Sequence, residues 1–290
     1  MDIIFKGKNK SYKSEDRIGK GYSGNIYKVL EIGTNKYYAL KFFPVVKKEE
    51  RENFKEFEKD IEVMKNIKNK YIIDFVDYFF DEKQKGYCIV MELCDGNLRD
   101  ILDNNPNGLP INMIKKIFTQ LNEALFDMQM QKEKYYHRDL KPENILIKYT
   151  DNNKTDFDIK LTDFGLSSNE INSTVEYHTK VGSEKYKAPE VDDFEYNNKI
   201  DLWSLGIILY ELYTNKYIFY SENLKERKNN RVKGRIVEET DNEMINKLIR
   251  KLIQVDIDKR IGWEEYFNDD FFKIKEEKED SELYGNLLVK

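Results

Sequence analysis

Eight consecutive residues, His137-Arg138-Asp139-Leu140-Lys141-Pro142-Glu143-Asn144, bring a carboxylate, an ammonium and an amide into one short stretch. Asp139 can accept a proton from a hydroxyl, and Lys141 can neutralise charge on a phosphoryl group in transfer. Asn144 can bind a hard cation through its amide oxygen. The full octet is too particular for an ordinary polar loop. Two other features carry less alone. In Gly19-Lys20-Gly21-Tyr22-Ser23-Gly24-Asn25-Ile26 the glycines allow backbone amides to approach phosphates, but a glycine turn between strands is also a plain hairpin. Lys41 follows Ala39-Leu40 inside an apolar strand pattern, so its ammonium either snorkels to solvent or meets a buried acidic partner.

These residues must be positioned by something, and the pattern changes along the chain. Residues 12–43 read as three strands with turns at the glycines and at Gly33-Thr34-Asn35. Phe54, Phe57, Ile61, Met64 and Ile67 then recur at helical spacing over 48–67, and extended runs follow at Ile72–Phe80 and Tyr87–Leu93. Beyond Gly96 the spacing is helical over 112–131, Ile200–Leu212 and Met244–Ile253. A strand-rich third before a helix-rich remainder predicts two lobes with a cleft between them. With 290 residues, 40% of them hydrophobic, the chain is long enough for such cores. Its 49 basic and 54 acidic residues nearly balance, which excludes a nucleic-acid-seeking surface overall. Two cysteines and two histidines make neither a disulfide framework nor a zinc cage. No stretch has signal-peptide or membrane-span character, so a soluble cytoplasmic protein is expected, with no nucleic-acid or membrane partner.

The octet resembles the catalytic loop of eukaryotic-type protein kinases, in the form of their serine/threonine-specific branch. Other motifs follow in that family's order: Asp163-Phe164-Gly165, Ala188-Pro189-Glu190, Asp201-Leu202-Trp203-Ser204-Leu205-Gly206, and Arg260, the expected partner of Glu190. The resemblance runs from about Tyr12 to Phe272. It implies an α+β, bilobal kinase fold, with an antiparallel-sheet N-lobe over 12–93 and a hinge and mostly helical C-lobe over 94–272. These are flanked by an N-terminal extension (1–11) and a charged tail (273–290). It implies ATP and Mg2+ as cofactors and protein substrates with serine or threonine acceptors, acted on by a monomer.

By the same resemblance Lys41 holds the nucleotide phosphates under the flap of Gly19, Gly21 and Gly24, and Asp60 on the following helix pairs with Lys41. Asp139 is the base and Lys141 assists it; Asn144 and Asp163 hold metal. Met91 is the gatekeeper, the backbone of Glu92 and Cys94 pairs with adenine, and Ile26, Ala39 and Leu146 sandwich its ring. Met64, Phe75, His137 and Phe164 match the stacked apolar column of active kinases. An alternative from another class is a pseudokinase acting as a nucleotide-binding scaffold, motivated by the shorter acid Asp60, whose replacement by Glu is expected to leave turnover unchanged or raised.

Finer expectations follow. Ile261-Gly262-Trp263-Glu264-Glu265-Tyr266-Phe267 is similar to the last helix of autophagy-initiating kinases; a calmodulin-dependent-like or lineage-specific kinase is the other placement. Glu143 and Glu211 match positions where basophilic kinases hold a substrate arginine, so Arg or Lys upstream of the acceptor is expected. Arg138, read as buried, calls for a counter-charge that phosphate on Thr179 would supply, whereas Ser183 should contact Asp139 and Lys141.

Overall fold

The computed structural model describes residues 3–20, 24–45, 50–131, 134–169, 183–193 and 196–273. Gly21, Thr179 and the tail beyond 273 therefore lie outside the described residues. An antiparallel six-stranded sheet forms first, from β1 (Ile4–Lys6), β2 (Ser11–Lys20), β3 (Asn25–Glu31), β4 (Tyr37–Pro44), β5 (Phe75–Asp81) and β6 (Gly86–Glu92). Its order is β1-β2-β3-β4-β6-β5. Strand β1 falls within the stretch expected as an extension, and Phe5 stands opposite Tyr12. Both rings are buried, with Leu40, Phe79, Cys88 and Val90, in a small core on one face of the sheet.

Alternation along β4 sends Leu40 to that face while Ala39 and Phe43 join the main core. Lys41, between them in phase, is 5% exposed. Helix α1 (Glu50–Asn66) covers that side of the sheet. Phe57, Asp60, Ile61 and Met64 are buried at three- and four-residue spacing, and the Phe57 ring meets Phe43 at 5.8 Å. Asp60 is thus the one acid in an apolar stripe that faces β4.

After β6 the chain passes into a helical half. β7 (Gly96–Asn97) leads to α2 (Leu98–Asn104) and α3 (Ile111–Met130). Asn97 caps α2, accepting from the amides of Arg99 and Asp100 while Asp100 returns a carboxylate to the Asn97 amide. β8 (Tyr135–Tyr136) precedes the octet, and the hairpin of β9 (Ile145–Tyr149) and β10 (Phe157–Leu161) follows it. The polar loop over 150–156 is its tip, where Asp151 accepts from the Thr155 and Asp156 amides. β11 (Ser168–Asn169) pairs back onto β8.

The main core centres on α3 and on α4 (Ile200–Thr214), which is buried continuously from Ile200 to Leu212. That burial explains its all-round apolar sequence. Gly206 lets α6 (Glu243–Leu252) approach, since a Cβ there would stand 2.9 Å from Leu252 and Ile253. α5 (Leu224–Val232), α7 (Trp263–Phe267) and α8 (Asp270–Lys273) complete the half. The predicted strands and helices end within a few residues of the observed ones, except that the stretch from Ile72 is not strand before β5 begins, and Ile72 makes only an isolated bridge to Leu161. Among the described residues no helix is long and apolar enough to cross a membrane.

Candidate active site

Two clusters of charge face each other between the sheet and the helical half. In the first, Lys41 Nζ donates to Asp60 Oδ2 at 2.5 Å and to Asp163 Oδ1 at 2.6 Å. Strand β4, helix α1 and the turn after β10 each contribute one member. Burial alone would lower the pKa of the Lys41 ammonium, but the Asp163 and Asp60 charges hold it above the ordinary value. Burial works against ionised Asp163 too, yet Lys41 keeps its carboxyl below the usual range. For Asp60 burial wins, with the nearby Asp163 charge, and its pKa is raised. Its second oxygen, Oδ1, is buried without a hydrogen-bond partner. Glu58 is exposed, and Glu62 turns to Lys59 and the Tyr135 hydroxyl. Asp60 is therefore the residue of α1 that reaches Lys41.

The second cluster centres on Asp139. Lys141 Nζ lies 2.5 Å from Asp139 Oδ2 and 2.9 Å from Ser183 Oγ. Ser183 also gives its amide and hydroxyl to Asp139 Oδ1, at 2.8 and 2.9 Å. Asn144 donates its amide nitrogen to the Asp139 carbonyl at 2.9 Å, which turns its amide oxygen away from Asp139. The loop itself is held from beneath: Asp201, buried in α4, accepts from the His137 and Arg138 amides at 2.8 and 2.9 Å. An acid inside an apolar helix was the sequence signal for that support. Arg138 and Asp163 have positive φ, 65° and 68°, left-handed backbone that a non-glycine residue adopts only when its surroundings enforce it. His137 Nε2 lies 3.0 Å from the Thr162 carbonyl, and its ring meets the Phe164 ring at 5.3 Å. Met64 and Phe164 share the main core, and Phe75 packs against it.

The remaining candidates line the cleft. Lys41 pairs in register with Ile26 and Ile89, and Ala39 with Met91, so these residues sit side by side on β3, β4 and β6. Leu146 is on β9, opposite Asn97. The Glu92 amide is already given to the Asp74 carbonyl at 3.0 Å. That leaves its carbonyl as the Glu92 backbone group for a ligand, while the Cys94 amide makes no backbone bond among the described residues. Gly19 sits beside the Ile26 side chain, and Gly24 has a packing reason of its own: a Cβ there would stand 1.9 Å from the Phe42 carbonyl.

The expected burial of Arg138 needs correcting. Arg138 is only partly buried, and it donates to the Leu166 carbonyl and to the Tyr196 hydroxyl. Glu143 and Glu211 are not an open acidic pair. Arg99 donates to both, at 3.1 and 3.0 Å, and Lys185 and the Tyr186 hydroxyl also bind Glu211. Arg99, Lys185 and Tyr186 were not candidates from sequence.

Arg260 makes a two-pronged pair with Glu190, 2.5 and 3.0 Å, and gives its other donors to the Gln254 and Lys199 carbonyls. The segment ending at Glu190 is thereby fixed to the helical half.

Comparison with known proteins agrees with this geometry. Residues 12–272 match the protein kinase domain family. The serine/threonine-protein kinase TIO of Arabidopsis thaliana is 33% identical over 73% of this chain, and cyclin-dependent kinase-like 1 of Caenorhabditis elegans is 32% identical over 72%. Serine/threonine-protein kinase shk1/pak1 of Schizosaccharomyces pombe is 32% identical over 73%. The matched stretch covers 15%, 56% and 30% of those three proteins. The chain belongs to the protein kinase domain family, in its eukaryotic-type serine/threonine branch.

Proposed function

We propose that the chain transfers the γ-phosphoryl group of ATP to serine or threonine hydroxyls of protein substrates. The observation that carries this reading is the simultaneous assembly of Lys41 with Asp60 and Asp163, and of Asp139 with Lys141, Asn144 and Ser183. A scaffold that only binds nucleotide has no need of the second cluster. In the reaction the bond between the γ-phosphorus and its bridging oxygen breaks, a bond to the substrate oxygen forms, and ADP leaves. Asp139 aligns the hydroxyl and takes its proton. Lys141 and Lys41 stabilise negative oxygens with charges held in place beforehand, so little reorganisation is needed. Ile26, Ala39 and Leu146 enclose the adenine, the Glu92 carbonyl and Cys94 amide pair with its edge, and Met91 bounds the pocket.

A divalent cation fits the donors present. Asp163 and Asn144 offer hard oxygen atoms, and among the described residues no group of three or more His, Cys, Asp or Glu forms a cage. Few protein oxygens with phosphates supplying the rest is the chemistry of Mg2+. Bound there, it would neutralise phosphate charge. The chain acts as a cytoplasmic monomer in this reading, consistent with the free thiols of Cys88 and Cys94. Phosphate on Thr179 would join Arg138 in ordering the segment before Glu190.

The test is incubation with γ-labelled ATP, Mg2+ and a generic protein, followed by phosphoamino-acid analysis. Label on serine or threonine is expected. Nucleotide binding without any transfer would favour the scaffold.

A further inference from the structure

The strongest feature outside the two catalytic clusters is the one built on Arg99, and it rests on the kinase reading. Its place is set by short covalent links to the Asp139 cluster. Glu143 precedes Asn144, which donates to Asp139, and Tyr186 follows three residues after Ser183, which does the same. Whatever peptide offers its hydroxyl to Asp139 must run past this group.

Arg99 Nε donates to Glu143 Oε1, and Nη2 donates to Glu211 Oε1 and to the Tyr186 hydroxyl at 2.7 Å. The Tyr186 hydroxyl donates in turn to Glu211 Oε2 at 2.5 Å, and Lys185 takes the remaining position on Oε1. Glu211 is 3% exposed, so both of its oxygens are used inside the protein. Burial opposes charge on the Arg99 guanidinium, but Glu211 holds its pKa above the ordinary arginine value, and it stays charged. The charges of Arg99 and Lys185 match those of Glu143 and Glu211, so these two acids have their cations already, while the exposed Asp103 lies 4.0 Å from Arg99 Nη1 at the rim. The capping box of α2 fixes the backbone from which Arg99 projects.

We infer that Arg99 is a specificity residue: a built-in guanidinium that fills the Glu143–Glu211 site and removes selection for arginine or lysine in the substrates. A substrate guanidinium would have to displace a charge-assisted, pre-positioned one, and would meet the positive charges of Arg99 and Lys185 as it approached. Like charges brought together oppose binding. The protein substrates are accordingly those with neutral or acidic residues around the acceptor.

The experiment uses serine peptides in a neutral background, with one arginine, alanine or glutamate scanned through each flanking position. They are assayed with the wild type, Arg99→Leu, and Arg99→Leu combined with Glu143→Gln. The wild type should favour arginine over alanine at no position by more than about 3-fold in kcat/KM. Arg99→Leu should gain at least about 10-fold for arginine at one position, or about 1.4 kcal/mol, and the double variant should lose much of that gain. Arg99→Gln carries the same arm if the leucine variant does not fold. Peptide binding followed by fluorescence anisotropy decides the matter independently of transfer. If the wild type phosphorylates nothing, the kinase reading fails, and anisotropy still shows whether removing Arg99 creates an arginine site. An arginine preference of 10-fold or more in the wild type, or no gain at any position in a folded Arg99 variant by either assay, overturns the inference.

Discussion

Asp60 reaches Lys41 across the interface of α1 and β4 with 2.5 Å between Oδ2 and Nζ, although its side chain is the shortest that carries a carboxylate. The helix lies close enough to the sheet for the short acid, because Phe57, one turn before Asp60, packs its ring against Phe43. The same ammonium also holds Asp163, so one cation sets the spacing between α1 and the turn that carries Asp163.

Replacement of Asp60 by Glu tests that closeness. The sequence expectation was unchanged or higher turnover, on the premise of a gap to be spanned. The pair is already in contact, so another methylene, about 1.3 Å, must push α1 outward or fold into a packed site. Turnover is expected to fall about 2- to 10-fold, with a rise in KM for ATP, in steady-state assays. Equal or higher turnover would mean that the helix stands further out during catalysis.

Neutralising either partner of the catalytic charges should do more. Asp163→Asn removes the hard anionic donor, and Lys41→Met keeps the apolar stem but removes the ammonium between two carboxylates. Each should lower phosphate transfer by at least about 100-fold, the scale of losing one fixed electrostatic contact in an enclosed site. Circular dichroism should confirm that the fold is kept. Transfer at the wild-type rate by folded Asp163→Asn would remove the metal assignment.

Much of this site could be read from the chain because its members are contiguous. Asp139, Lys141 and Asn144 lie in one octet, and Asp163 opens a triplet. Asp60 was legible through the family resemblance, because Ile61, Val63 and Met64 match the apolar sequel expected after that acid, and all four are buried. What escaped depends on pairing in space. Arg99 and Glu211 are 112 residues apart, and Arg99 sits on a seven-residue helix too short for periodicity to reveal. Read alone, Glu143 and Glu211 are two acids near the substrate, and nothing local says that a cation already joins them. Strand β1 escaped likewise, for three residues have no pattern until Phe5 is seen against Tyr12.

Stability should depend on Arg260. Its guanidinium is fully enclosed, gives donors to Glu190 and to two backbone carbonyls, and stacks 5.1 Å from the Trp203 ring. Arg260→Leu leaves Glu190 charged and nearly buried with no partner. Breaking such a pair from one side costs about 3–5 kcal/mol. Urea denaturation should show a loss of that size, and Glu190→Gln in the same chain should recover part of it. A loss below about 1 kcal/mol would show that water reaches Glu190 once the arginine is gone.

The thiol at the hinge should be slow to react. Cys94 follows Glu92 and Leu93, and in the proposed function its amide pairs with adenine. Burial pushes its thiol pKa up to about 12, and the Glu92 charge adds to the effect. Cys88, in the small core, is raised further for the same reason, burial. A free cysteine has a pKa of about 8.5 and is roughly one-quarter thiolate at pH 8, whereas a group at about 12 is ionised to about one part in 10,000. Since only the thiolate reacts, iodoacetamide at pH 8 should modify Cys94 at least about 100-fold more slowly than glutathione, read by mass spectrometry of the Cys94 peptide. Both thiols should react rapidly once the chain is unfolded in urea. Chain forced to carry the carbamidomethyl group should lose ATP binding, because the added amide fills the edge of the adenine site. Fast modification of the folded chain would show that the hinge opens to water in solution, and modified chain that still binds ATP would move the adenine contact away from Cys94.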